Sequence, residues 1–265
     1  MFLRAAALSA SLFLASIANA TAFTDQWWDP AEPGWGVNMV QQSNALHIVV
    51  SVYGPDGKPT WYSASAAPGT VLPSGHPRWD GDLYETTSTT FGGPPNPADL
   101  KYRKVGSLAF LPATEYSGTL TYDVDAKVVT KAIQRHAFRQ IPVLGVFSGN
   151  FSTCCGGACT GNFSSPKLLS VCTTPDASGI TGHASTALVD YYTQAKCFWS
   201  GKYQQFGSVF ALSNTSACSF PEFTFNLQSL SASPDGNILY GSAPISTGCK
   251  VTFAVTKVST QAICN

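Results

Sequence analysis

Four of the six tryptophans of this 265-residue chain, Trp27, Trp28, Trp35 and Trp61, fall close together near its start. Asp29, Glu32, Asn38, Gln41 and Gln42 stand among them. Flat aromatic faces stack on the C–H faces of sugars, and neighbouring amides and carboxylates hold hydroxyls. The cluster therefore reads as a surface for a small molecule or a glycan, with Trp27, Trp28, Glu32, Trp35, Asn38, Trp61, Tyr62 and Tyr84 as its candidate contacts. The competing reading is that the rings plug one end of a β structure. Trp61 and Tyr62 are adjacent on a predicted strand and must face opposite sides, so one of them points inward.

Asp29 with Glu32, or Asp80, Asp82 and Glu85, are the carboxylates from which an acid/base pair for glycoside hydrolysis would come. They lie beside Gly/Pro turns, which suits turn-making or solvated groups, and no catalytic residue is assigned. His47, His76, His136 and His183 form neither H-E-x-x-H nor an i, i+2 pair, so no metal site and no cofactor is expected. No nucleophile elbow, phosphate loop or dinucleotide fingerprint occurs. Lys131, Ile133 and Arg135 alternate onto one face; a cation held inside a barrel wall would hint at a ligand.

All eight cysteines, Cys154, Cys155, Cys159, Cys172, Cys197, Cys218, Cys249 and Cys264, lie in the second half. Their spacing is not that of a zinc knuckle, and an even number in an exported chain reads as disulfides with the connectivity open. Export is read from residues 1–20, where Arg4 precedes an apolar run and Ala18-Asn19-Ala20 supplies a cleavage site after Ala20. The expected location is periplasmic or secreted. The run is too short for a stop-transfer helix, and no membrane span is expected. Charged residues are 11% of the chain with a formal net charge of zero, which leaves no basic surplus for nucleic acid.

Period-two alternation dominates the elements that must position these groups. Strands are expected at Gly34–Gln42, Leu46–Tyr53, Pro59–Ala66, Asp80–Thr87, Val105–Leu111, Ser117–Val124 and Lys127–Phe138. Gly54-Pro-Asp-Gly57 and Asp123–Lys127 are reversals; Pro68–Arg78 and Gly92–Asp99 are loops. Beyond the apolar hinge Gln140–Gly145, strands are expected at Gly145–Thr153, Cys197–Gln205, Gly207–Ser213, Phe223–Leu230, Asn237–Ser242 and Cys249–Val258, with Ala184–Gln194 either a helix or a strand. The reading is all-β: two consecutive antiparallel, up-and-down barrel-like modules of lipocalin or avidin style, 23–140 and 145–265, the second disulfide-braced and read as a diverged copy of the first. In such barrels a Gly-x-Trp near the first strand is structural, which fits Trp35 between Gly34 and Gly36.

One ordered motif series goes further. Trp27-Trp28-Asp-Pro-Ala-Glu-Pro-Gly-Trp-Gly36 is followed by Gly57-Lys-Pro-Thr-Trp-Tyr62, Gly81-Asp-Leu-Tyr-Glu-Thr-Thr87, Val105–Phe110, Gly118–Tyr122 and Lys131–Phe138. The series resembles a group of exported bacterial β-rich proteins sharing a WWxPxExGWG opening, over about residues 24–140. Cys197–Gly207 is more loosely similar to a companion β module. The resemblance implies compartment and module organisation but no activity. A non-enzymatic binding protein is the expected function. The alternatives are a secreted hydrolase or barrel-type isomerase, which needs an open barrel cavity, and a structural or adhesive envelope module.

Overall fold

The computed structural model describes residues 22–155, 158–162, 167–190, 196–218, 227, 229–244 and 249–261. Residues 1–20, read above as an export signal, Cys264 and most of the strand expected at Phe223–Leu230 lie outside the described residues.

The fold is all-β and consists of two closed eight-stranded antiparallel barrels. The first is built from β1 (Asp25–Trp28), β2 (Gly36–Gln42), β3 (Ala45–Tyr53), β4 (Pro59–Val71), β5 (Pro77–Thr87), β6 (Lys101–Pro112), β7 (Ser117–Val124) and β8 (Lys127–Arg135), each paired with the next. Trp27 opposite Arg135 and Trp28 opposite Gln134 close it. Alternation sets which side chains enter: Leu46, Ile48 and Val50 of β3 are buried, while His47 and Ser51 face out. Gly57, at φ +74°, turns the β3–β4 hairpin. Asp125 and Ala126 take positive φ in the two-residue β7–β8 turn, so this reversal forms without glycine.

The second barrel comprises β9 (Gly145–Cys155), β11 (Lys167–Pro175), β12 (Thr181–Asp190), β13 (Lys196–Phe206), β14 (Val209–Cys218), β15 (Ser229–Ala232), β16 (Ile238–Pro244) and β17 (Lys250–Ser259). It closes where β17 returns to β9, and β10 (Ala158–Asn162) forms a hairpin on the far part of β9. A disulfide joins Cys155 to Cys249, and Cys154 and Cys172 are also disulfide-bonded.

Several expectations need correction. Residues 25–28, which lie before the first expected strand at Gly34–Gln42, are themselves the strand that closes the barrel. β4 and β5 extend into the expected loop Pro68–Arg78, β6 begins earlier than Val105, and β8 stops at Arg135. Of the two readings of Ala184–Gln194 the strand is the one found, over residues 181–190, because ladders with β11 and β13 hold both edges. β10 and β11 were not expected at all.

The first interior is filled. Phe23, Trp27, Val37, Met39, Ile48, Leu83, Phe110 and Leu120 are among a continuous cluster of sealed side chains. A void wide enough for water would leave accessible surface on such residues. The second interior is packed likewise around Phe147, Phe151, Leu169, Phe210 and Phe253. Ile141 and Val143 of the hinge belong to that second core. The hinge is therefore pinned, and Gln205 bonds it as well: its Oε1 accepts from Ile141 N and its Nε2 donates to Arg139 O.

Candidate functional site

The structure distributes the sequence-predicted contacts over five places. Trp27 is sealed in the first core, its indole N–H donating to Phe23 O at 3.1 Å and its ring edge-on to Phe110. It is not open to a ligand, and the period-two alternation that buries it is the reason. Asn38 faces out on β2 opposite Gln26 and Val49, apart from the other candidates. Trp28 lies on the outside of β1, stacked on His136 at 4.5 Å.

Glu32, Trp35 and Tyr62 gather at one mouth of the first barrel. Glu32 pairs with the Lys131 ammonium, which sits 5.8 Å from the Trp35 ring. The Trp35 indole N–H is buried without a hydrogen-bond partner among the described residues. Burial, then the Glu85 carboxylate, pushes the Tyr62 hydroxyl above its ordinary pKa; burial, Tyr62 and Glu32 do the same for Tyr122. Arg103 spans Glu85 at 2.9 Å and Asp125 at 2.6 Å across the rim, which holds the Asp125 carboxyl below its usual value. This mouth is plugged by its own ion pairs and rings.

The carboxylates considered for acid/base work are also engaged. Asp29 accepts from Ala31 N at 2.9 Å and makes a turn. Asp80 is held by Arg78 at 2.8 Å and Asp82 by Lys104 at 2.7 Å. The cavity that a barrel-lumen hydrolase or isomerase requires is occupied by the first core.

Trp61 and Tyr84 come together with two residues the sequence did not single out. Tyr53 lies opposite Pro59, and Trp61 is two positions further along β4. Tyr84 lies opposite Ser63, two positions beyond Trp61. Tyr102 lies opposite Thr86, two positions beyond Tyr84, and meets the Tyr84 ring edge-on at 6.3 Å. The four rings thus occupy successive diagonal positions on the outer face of β3, β4, β5 and β6, each step about 7–8 Å. They are not core: Tyr53 is 60%, Trp61 47% and Tyr102 74% exposed. Scattered exposed rings need no explanation, whereas four rings at successive diagonal positions on one face are a candidate interaction surface.

Polar groups border the row. An open groove of about 290 Å³ runs beside Tyr84, lined by His47, Ser63, Ser65 and Asp82. His47 Nδ1 is 3.4 Å from Ser65 Oγ. The Asp82 carboxylate holds the Lys104 ammonium above its ordinary pKa. Chemically, the strip offers ring faces for apolar C–H surfaces and a hydroxyl, imidazole and carboxylate edge for hydroxyl groups. Tyr53 is legible as an outward position of its strand, whereas Tyr102 lies outside the strand expected at Val105–Leu111; the grouping of both with Trp61 depends on cross-strand register.

His47 and His136 do not meet across the barrel. His47 faces out on β3, and His136 stacks on Trp28 and meets Phe138 at a tilt beyond the end of β8. Lys131 and Arg135 both turn inward, as the alternation allowed. Arg135 is 2% exposed and donates to Glu115 O, Thr24 O, Ala22 O and the Asp25 carboxylate. Burial pulls its pKa down while Asp25 opposes that. Its partners are internal, so this inward cation serves the barrel end rather than a ligand.

Fold and site together define a two-barrel all-β protein with filled interiors and an external aromatic platform on the first barrel. No family model matches the chain, and no curated protein matches its sequence. Among the described residues no helix is long and apolar enough to cross a membrane.

Proposed function

We propose that the chain is an exported binding protein whose first barrel holds a glycan against the outer row Tyr53–Trp61–Tyr84–Tyr102. The observation that carries this reading is the diagonal alignment of four outward rings beside a polar groove on a barrel whose interior is full. An extended saccharide chain suits a stripe that crosses four strands better than a compact molecule, which needs an enclosing cavity. The motif series that resembles one of exported bacterial proteins falls on β1, the mouth loop, β4, β5 and β6 to β8, and supports treating them as one module. The disulfides support an oxidising compartment outside the cytoplasm.

Affinity electrophoresis and calorimetry of the mature chain against a panel of neutral and acidic polysaccharides test the proposal. Uncovering the contact of one large ring removes about 1.5–3 kcal/mol, so Trp61→Ala is expected to weaken binding roughly ten- to hundred-fold. Trp61 emission should respond to ligand while the sealed Trp27 and Trp79 do not. Binding that Trp61→Ala and Tyr102→Ala leave unchanged, or no binding by the parent chain, overturns it.

A further inference from the structure

The two barrels meet where the β13–β14 turn at Gly207 and Ser208 reaches Asp25, and a cleft of about 670 Å³ opens at their seam. Its volume lies in the range of small-molecule sites, and such sites favour boundaries between domains. One wall is a ring ladder. Trp28 stacks on His136 at 4.5 Å, and His136 lies 4.4 Å from Phe138. The ladder ends in Phe138, which is 74% exposed. The facing wall comes from the second barrel, through Pro234, Ile238 and Tyr240. Ile238 is itself exposed although it is a large aliphatic residue.

The polar groups of the cleft are unevenly satisfied. The Asp25 carboxylate accepts from Arg135, from Ser208 N and from Gln26 N, so its oxygens are in use. Gln205 is spent on the hinge and on Gly207 O. Arg139 makes one bond, from Nη2 to Pro234 O at 2.8 Å. Among the described residues no carboxylate is paired with it. The remaining guanidinium donors form a fork suited to a carboxylate or sulfonate. An open ring face, an apolar facing wall and an unpaired guanidinium at the rim are complementary to one chemistry.

We propose that the seam cleft is a binding site for a planar aromatic acid. The ring lies on Phe138, at the end of the Trp28–His136 ladder, with Ile238 and Pro234 on its other side. Its acid group takes the free donors of Arg139. This site shares no residue with the aromatic row on the first barrel, and it draws on both barrels, which gives the pinned hinge a purpose: it fixes the width of the cleft.

Calorimetric titration of the mature chain with 2-naphthoate, and with 2-naphthylmethanol as the neutral analogue, tests the proposal. The expected result is saturable one-to-one binding that favours the acid. Phe138→Ala and Ile238→Glu should each weaken naphthoate roughly tenfold or more. Arg139→Gln should bring the acid down to the level of the neutral analogue. All three side chains are exposed, so the variants should keep the parent's circular dichroism and melting temperature. Trp61→Ala should bind naphthoate as the parent does, which separates this site from the glycan row. Non-saturable naphthoate binding, Phe138→Ala and Ile238→Glu variants that bind like the parent, or an acid preference that survives Arg139→Gln overturns the assignment.

Discussion

Replacing Arg135 by Met tests how the first barrel is closed and joined to the second. The guanidinium is almost wholly buried, 5.1 Å from the Trp27 ring, with bonds of 2.8 Å to Glu115 O and 3.2 Å to both Thr24 O and Asp25 Oδ2. Methionine keeps the volume and removes every donor. Asp25, whose side chain is only 18% exposed, keeps the Ser208 and Gln26 amides but loses its counter-charge. Breaking a buried pair from one side costs about 3–5 kcal/mol, mostly through the stranded charge. On a chain of this size that corresponds to roughly 6–20 °C in melting temperature. Urea unfolding followed by near-UV circular dichroism measures the loss. Asp25→Asn in the Arg135→Met background removes the stranded charge, so the double variant should lose clearly less than the two single losses added together. Exchange of the Ser208 amide should quicken in Arg135→Met, since Asp25 is its acceptor across the seam. The comparison is Arg103→Met, which removes an exposed guanidinium that also touches two carboxylates. If Arg135→Met is no more damaging than Arg103→Met, or if the two single losses simply add, the account of Arg135 as a buried, coupled anchor is wrong.

Three further outcomes are expected. The Cys155–Cys249 bridge spans 94 residues of sequence, and chain entropy assigns such a loop about 4.7 kcal/mol; Cys155→Ser with Cys249→Ser should expose the second barrel to protease first while the first, cysteine-free barrel persists, and simultaneous digestion of both would contradict this. Burial pushes the His76 imidazole below its ordinary value of 6.5, so the unfolded chain takes up the proton first; His76's contribution is complete above that pH and is lost as pH falls below it, and calorimetric scans from pH 7.5 to 5 should show a decline in melting temperature that His76→Gln flattens. Gly207 has φ +54°, and a Cβ there would collide with the Asp25 carboxylate; Gly207→Ala should cost about 1–3 kcal/mol and loosen the seam, read as faster exchange at Ser208, whereas a neutral substitution would mean the seam yields freely.

Much of the first barrel is legible in the sequence because alternation is a local signal. Leu46, Ile48 and Val50 declare an inward face within one strand, and Trp61 and Tyr62 declare opposite faces by adjacency alone. The Gly54-Pro-Asp-Gly57 turn is equally local, since its chemistry lies in four consecutive residues. β1 is harder to read: four residues carry little periodicity, and they are held as a strand between β2 and a partner more than a hundred positions away. β12 is ambiguous for the same reason, because its small alternating residues suit either element until two ladders hold them.

The candidate site divides along the same line. That the protein is all-β, that its aromatics cluster, and that Trp61 or Tyr62 faces outward followed from residue types and spacing. Trp27 and Trp61 look alike in sequence, yet one is sealed in the core and the other is a platform ring. The row Tyr53–Trp61–Tyr84–Tyr102 exists only through the register of four strands, and the seam cleft only through the meeting of two barrels. That neighbouring residues of a strand take opposite faces is a local matter, and the sequence determines it. Which rings stand side by side is set by pairing between distant segments, where a slip of one residue would turn every ring to the other face, and only the closed tertiary structure decides that.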